Sequence, residues 1–217
     1  MLAGEAKALM KGHLHSDAFL HPILAKLRTG RRLSHVFVAD IKTYPKLLLI
    51  TDAAINIAPD LITKAAILQN AIDLARILDV TQPKAAILSA VEVVNPAIVS
   101  TIDAACLSKM AERGQITGAL VDGPLAFDNA ISKESAKIKG IQSAVAGDAD
   151  ILLVPDLVSG NILAKDLEYL AGATLAGIVM GARVPVILTS RADPARARLV
   201  SAGLAALVHY HHLQMLP

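Results

Sequence analysis

The chain has 217 residues, 54% of them hydrophobic but only 3% aromatic and none tryptophan, so it is long enough to bury a sizeable aliphatic core as one large or two small α/β domains. A formal net charge of +2, with no basic run longer than Arg31-Arg32, argues against nucleic acid and an anionic membrane surface as partners. A single cysteine, Cys106, excludes an internal disulfide and fits a reducing, cytoplasmic setting.

Short β-branched or leucine-rich runs predict buried strands over residues 36–39, 47–50, 85–89, 118–121, 151–154 and 184–188. Helices are predicted between them, over 60–78, 96–113, 129–139, 161–172 and from 195 to about 209, several opened by proline or an Asp/Asn cap. Cys106 falls in the helical run Ala104-Ala-Cys-Leu107 and reads as a buried structural thiol. Mean hydropathy of +0.52 raises the question of a membrane span. The most apolar stretch, 170–188, is interrupted by Gly172, Gly177, Gly181, Arg183 and Pro185, and reads as a buried helix, a turn and a strand. No signal-peptide pattern is visible. The alternation predicts a three-layer α/β/α, doubly wound and partly parallel sheet.

In such sheets ligands lie beyond the strand ends. The polar residues there are Asp52 and Asn56, Glu92 and Asn95, Asp122 and Gly123, Asp156 and Asn161, and Ser190 and Arg191. The run Val184-Pro-Val-Ile-Leu-Thr-Ser-Arg-Ala-Asp-Pro194 is the most informative. A strand turns there into a helix, Asp193 reads as its N-cap and Pro194 as its first turn, and the free N–H groups face Ser190 and Arg191. That is an anion site suited to phosphate; the plain alternative is an ordinary connection with a solvent-facing arginine. Around 122–131, Asp122, Gly123, Asp128 and Asn129 are candidate substrate contacts, with capping by Asp128 and Asn129 as the competing role. Asp156, Gly160 and Asn161 repeat the arrangement, Gly160 permitting a close backbone approach. Neither a Gly-rich phosphate loop nor Gly-x-Gly-x-x-Gly occurs, so an ATPase or dinucleotide oxidoreductase is disfavoured and no bound cofactor is expected. The histidines 209, 211 and 212 have the look of a metal patch, but they end a helix, where His suits the negative dipole end, and no metal is expected.

The motifs Asp122-Gly-Pro-Leu-Ala-Phe-Asp-Asn-Ala-Ile-Ser132, Ala149-Asp-Ile-Leu-Leu-Val-Pro-Asp-Leu-Val-Ser-Gly-Asn-Ile162 and Val186-Ile-Leu-Thr-Ser-Arg-Ala-Asp193 together resemble the phosphate acetyltransferase and phosphate butyryltransferase family. Met10-Lys-Gly-His-Leu-His-Ser-Asp17 and Leu49-Ile-Thr-Asp-Ala-Ala-Ile-Asn-Ile-Ala-Pro59 extend the resemblance over nearly the whole chain. It is greatest to the butyryltransferase-like branch, which is also found fused to an enoyl-CoA hydratase domain. The resemblance implies reversible transfer of a short-chain acyl group, acetyl or butyryl, between coenzyme A and inorganic phosphate. It implies an isocitrate/isopropylmalate dehydrogenase-like fold and a homodimer.

Family members carry a further stretch before the Met10-Lys11-Gly12 segment. On that pattern residues 1–34 and 184–217 are the remnant of a truncated first domain, and 35–183 form the second. The acetyltransferase branch places an aspartate six residues after the motif arginine, where this chain has Ala197, so the general base is open between Asp193, which capping otherwise claims, and a residue elsewhere. In the implied chemistry Arg191 grips phosphate and Ser190 donates to the developing oxyanion. The alternative functions are a truncated, non-catalytic dimerising module with weak coenzyme A binding, and phosphate acylation from an acyl-carrier protein.

Overall fold

A computed structural model of the protein describes residues 6–214, and its backbone organises one eight-stranded sheet with helices on both faces. In chain order the elements are β1 (Leu9–Met10), α1 (Ser16–Lys26), β2 (Ser34–Asp40), β3 (Leu48–Thr51), α2 (Leu61–Ile77), β4 (Lys84–Leu88), α3 (Val99–Glu112), β5 (Leu120–Leu125), α4 (Phe127–Ile131), α5 (Lys133–Ile138), β6 (Ile151–Leu153), α6 (Leu157–Tyr169), β7 (Thr174–Met180), β8 (Val186–Ile187) and α7 (Ala195–Gln214). The strand order is β1-β8-β7-β2-β3-β6-β4-β5. β3, β6, β4 and β5 run parallel, whereas β2 is antiparallel to both its neighbours and β7 is antiparallel to β8. β8 and β1, from the segments expected as a first-domain remnant, continue the same sheet through β7.

Alternation of side chains about the strands divides the core. Val36, Leu49, Ile151 and Ile178 pack under α2, α3 and α7 on one face. Ile50, Leu152, Val154 and Leu175 pack under α4 and α6 on the other, and a third cluster seats α1 on Val179 and Val186. All the layers of the expected α/β/α architecture are present. Asp60 caps α2, its carboxylate accepting the Thr63 amide at 2.7 Å.

Several boundaries differ from expectation. Residues 174–180 are a strand rather than helix: α6 stops at Tyr169, Gly172 turns the chain with φ of +65°, and the run Thr-Leu-Ala-Gly-Ile-Val-Met pairs along its whole length with β2. The helix expected over 129–139 is two, divided at Ser132, whose hydroxyl caps α5 through the Ser135 amide. α6 begins at Leu157, four residues before the expected start, because Asp156 rather than Asn161 supplies its cap. α1 and β1 carry no clear signal in the sequence; α1 holds Pro22 within it and buries only Ile23 fully.

The amino ends of β3, β4 and β6 are tied by charge. Asp148 accepts Lys84 Nζ at 2.6 Å and pairs with Lys46 at 3.0 Å, while Asp150 pairs with Lys46 at 2.7 Å and accepts the Lys84 amide at 2.8 Å. The hydrogen bond from Lys84, then that from Lys46, lowers the Asp148 carboxyl to about 2. A depressed carboxyl stabilises the fold above the unfolded value of about 3.9 and loses that contribution as pH falls towards the folded value. Asp148→Asn is therefore expected to lower the urea midpoint near neutral pH, with the gap to wild type closing between about pH 4 and pH 2. A gap independent of pH in that window would assign the loss to packing instead.

Candidate functional site

The connection from β8 to α7 is a tight turn built by Asp193. Its carboxylate accepts the Ser190 amide at 2.8 Å, its own amide returns to the Ser190 carbonyl at 3.3 Å, and its carbonyl accepts Arg198 Nη1 at 2.8 Å. Asp193 is thus not the cap of α7: the side chain turns back towards Ser190 and away from the helix. Burial raises its carboxyl above the usual range and nearby Glu168 adds to the rise, opposed by the Ser190 N–H, Lys165 and Arg198. Ser190 Oγ accepts the Ala192 amide at 3.3 Å, which leaves its hydroxyl proton free to donate outward. Arg191 is exposed, and its guanidinium has no acceptor among the described residues. The turn therefore presents one hydroxyl and one guanidinium on a fixed backbone.

Two features place this turn. A cavity of about 340 Å³ opens beside it, lined by Glu168, Tyr169, Thr174, Ala192, Arg196 and Ala197 among others. Lys165, from the same helix as Glu168, pairs with Glu168 at 3.0 Å and lies 3.8 Å from Asp193. Glu168 and Lys165 are additions that the sequence did not single out; only folding brings α6 against the turn, and their i,i+3 spacing reads by itself as a helix-surface pair. The second feature is His35 on β2. Its Nε2 lies 3.0 Å from the Leu188 carbonyl, just ahead of Ser190, and reaches it across β7 at Gly177, where a Cβ would stand 2.7 Å from that carbonyl and 3.0 Å from the ring. Burial lowers the His35 imidazole below its ordinary range, against the nearby Asp52 charge and the Leu188 carbonyl. Because the carbonyl can only accept, Nε2 carries a proton, and Nδ1 has no partner among the described residues.

The other expected contacts lie elsewhere. β8 runs antiparallel to β7, which runs parallel to β3, so Ser190 and Arg191 leave the sheet at the edge opposite the carboxyl ends of β3, β4, β5 and β6. Asp122 and Gly123 lie within β5 rather than after it. Asp122 accepts the Gly123 amide at 2.8 Å, and a Cβ on Gly123 would stand 2.8 Å from Ile87. Asp128 pairs with Lys139 instead of capping. Asn129 is fully buried and donates to Glu92 at 3.1 Å, so Glu92, Asp128, Asn129 and Lys139 form one cluster. Asp156 caps α6 through Ser159 at 2.8 Å. The close approach permitted by Gly160 is to the chain itself, at the Asp52 carbonyl, and Asn161 donates to the Ala53 carbonyl at 3.2 Å. Among the described residues no group of His, Cys, Asp or Glu is arranged to hold a metal. None of the described helices is long and apolar enough to cross a membrane.

A family model described as phosphate acetyl/butaryl transferase matches residues 1–206. The chain belongs to this family. Phosphate acetyl/butyryltransferase relatives span both named activities. A phosphate acetyltransferase of Rhizobium meliloti is 59% identical over 207 residues, covering 94% of this chain and 66% of its own length. A phosphate butyryltransferase of Clostridium acetobutylicum is 46% identical over 208 residues, covering 94% of this chain and 69% of that protein. Among solved structures, a branched-chain phosphotransacylase from Enterococcus faecalis V583 superposes with a TM-score of 0.87 at 36% identity, over 96% of this chain and 76% of that one. The chain spans about 60–66% of the length of the Rhizobium and Rickettsia phosphate acetyltransferases it matches. Within the phosphate acetyl/butyryltransferase fold, Ala197 is buried and lines the cavity beside the turn, so that position carries no carboxylate; Asp193 accepts the Ser190 amide, and Glu168 lines the same cavity.

Proposed function

We propose that this chain carries the acyl-transfer chemistry of its family, moving a short acyl group, acetyl or butyryl, between coenzyme A and inorganic phosphate. The observation that carries the reading is the β8–α7 turn, where a hydroxyl and an unpaired guanidinium are held side by side by the buried Asp193 carboxylate. In the direction of acyl-CoA synthesis, the thiol loses its proton to a base and its sulfur attacks the acyl phosphate carbonyl; the C–S bond forms as the C–O bond to phosphate breaks. Arg191 takes the leaving phosphate in a bidentate grip, and Ser190 donates to the oxyanion. Asp193, whose raised carboxyl brings it closer to a neutral-pH proton exchange than an ordinary aspartate, is the first candidate base, with Glu168 the second.

The reading includes a homodimer and a cytoplasmic setting. It also includes a two-part organisation in which residues 1–34 and 184–217 bear the Ser190–Arg191 turn and 35–183 the opposite sheet edge. Of the expected substrate contacts, Asp128 and Asn161 are kept, because both are exposed at that edge. Asp122, Gly123, Asn129, Asp156 and Gly160 are set aside as half-buried or buried.

Incubation of the chain with acetyl-CoA or butyryl-CoA and inorganic phosphate is expected to release coenzyme A and yield an acyl phosphate trapped by hydroxylamine. Coenzyme A binding without product from either thioester would favour the non-catalytic module.

A further inference from the structure

We propose that the recess between the 28–32 turn and the start of α2 binds a phosphate monoester dianion, at a site separate from the Ser190–Arg191 turn. The recess measures about 430 Å³, within the range of small-molecule pockets, and is lined by Arg28, Gly30, Arg31, Arg32, Ile62 and Thr63, with Ala66 behind them. Three of its lining residues are guanidinium bearers and none is a carboxylate. It lies at the amino end of β2 and the carboxyl end of β3, across the sheet from Ser190.

The arginines are held by the fold before any ligand arrives. Arg32 Nε donates to Asn56 Oδ1 at 2.8 Å. Asn56 in turn is fixed by the buried Asp52 carboxylate at 2.6 Å and the Leu33 carbonyl at 2.9 Å. The Arg32 carbonyl accepts Asn70 at 2.8 Å. The inner edge of the guanidinium is therefore anchored, while its two Nη atoms meet no acceptor among the described residues. Gly30, at φ of +89°, turns the chain so that residues 28, 31 and 32 share one recess. Arg183 Nε pins the Arg28 carbonyl at 3.0 Å, and the Arg28 guanidinium has no ion-pair partner among the described residues. Asp73, paired with Arg31 at 2.6 Å, neutralises one of the three charges. Asp60 is turned to the Thr63 amide at 2.7 Å. An anchored fork facing an uncompensated cation is suited to bidentate oxyanion recognition, since side-chain ordering is already in place. The exposed Ile62 and the adjacent Ala66 offer an apolar wall that a bare anion would leave unused, which favours an ester over free phosphate.

This site requires nothing of the acyl-transfer reading, and the test keeps the two apart. The chain is titrated calorimetrically with adenosine 5′-monophosphate and with inorganic phosphate, as wild type, as Arg28→Gln/Arg32→Gln and as Arg191→Ala. The nucleotide is expected to bind the wild type, to bind the double variant about tenfold or more weakly, and to bind Arg191→Ala unchanged. Inorganic phosphate is expected to bind this recess more weakly than the ester. Undiminished binding by the double variant, or binding lost in Arg191→Ala alone, overturns the site; inorganic phosphate binding here as tightly as the nucleotide overturns the ester assignment. Arg28→Gln alone, at an exposed side chain with no ion pair among the described residues, gives the same reading in a smaller measure if the double variant does not fold.

Discussion

Arg191→Ala is expected to lower acyl phosphate synthesis by about 10²–10³-fold, the range for losing one preorganised partner of a developing anion, with the thermal midpoint unchanged. Stability is spared because the guanidinium meets no acceptor among the described residues. The loss should fall mainly on phosphate: its KM rises, and saturating phosphate restores part of the rate. Ser190→Ala should behave differently. Its hydroxyl holds only the Ala192 amide at 3.3 Å, so phosphate binding stays and kcat falls. Steady-state kinetics at varied phosphate, with circular dichroism on each variant, check both. Wild-type rates in Arg191→Ala would put the phosphate elsewhere.

Asp52→Ala is expected to be the most destabilising polar substitution. Its buried carboxylate accepts five N–H groups: the amides of Ala54 at 2.9 Å, Ile55 at 3.0 Å, Asn56 at 3.3 Å and His35 at 3.2 Å, and Asn56 Nδ2 at 2.6 Å. Alanine leaves these donors facing a dry site, and two or more unsatisfied at once cost about 3–5 kcal/mol. Equilibrium unfolding in urea measures the loss. Asp52→Asn keeps an acceptor oxygen and should lose less. A cost for Asp52→Ala below about 1 kcal/mol would mean that water reaches the freed amides.

How far the sequence carried the fold depended on how each segment announces itself. The runs at 36–39, 85–89 and 151–154 are short, aliphatic and bounded by turns, and they fold as β2, β4 and β6 within a few residues. The stretch 170–188 defeated the same reasoning because a continuous apolar run has neither period, and Gly177 inside it looked like an interruption. Only the register with β2 shows that it is strand. The anion turn was legible at Ser190 and Arg191, since a strand followed by Asp-Pro marks a boundary on its own. The role of Asp193 was not: a residue before Pro194 looks like a cap, and the competing acceptor position, three residues back at the Ser190 amide, is decided by the backbone. Glu168 and Lys165 had no local signal, because what makes them part of the site is the approach of α6 to the β8–α7 turn, across a long stretch of chain. The two-fold use of Asp156 and Gly160, capping one helix and admitting the Asp52 carbonyl, is likewise a matter of neighbours distant in the chain.

The gap at Gly177 has one more consequence. Hydrogen bonds ordinarily tie a strand to the one beside it, yet His35 fastens β8 to a strand two places away. The anion turn is thus tied to the interior of the sheet as well as to its two-residue pairing with β7. For the same reason positions 35, 177 and 188, scattered along the chain, are coupled: a methyl group at 177 would meet both the ring at 35 and the Leu188 carbonyl, so removing the ring alone does not make room for it.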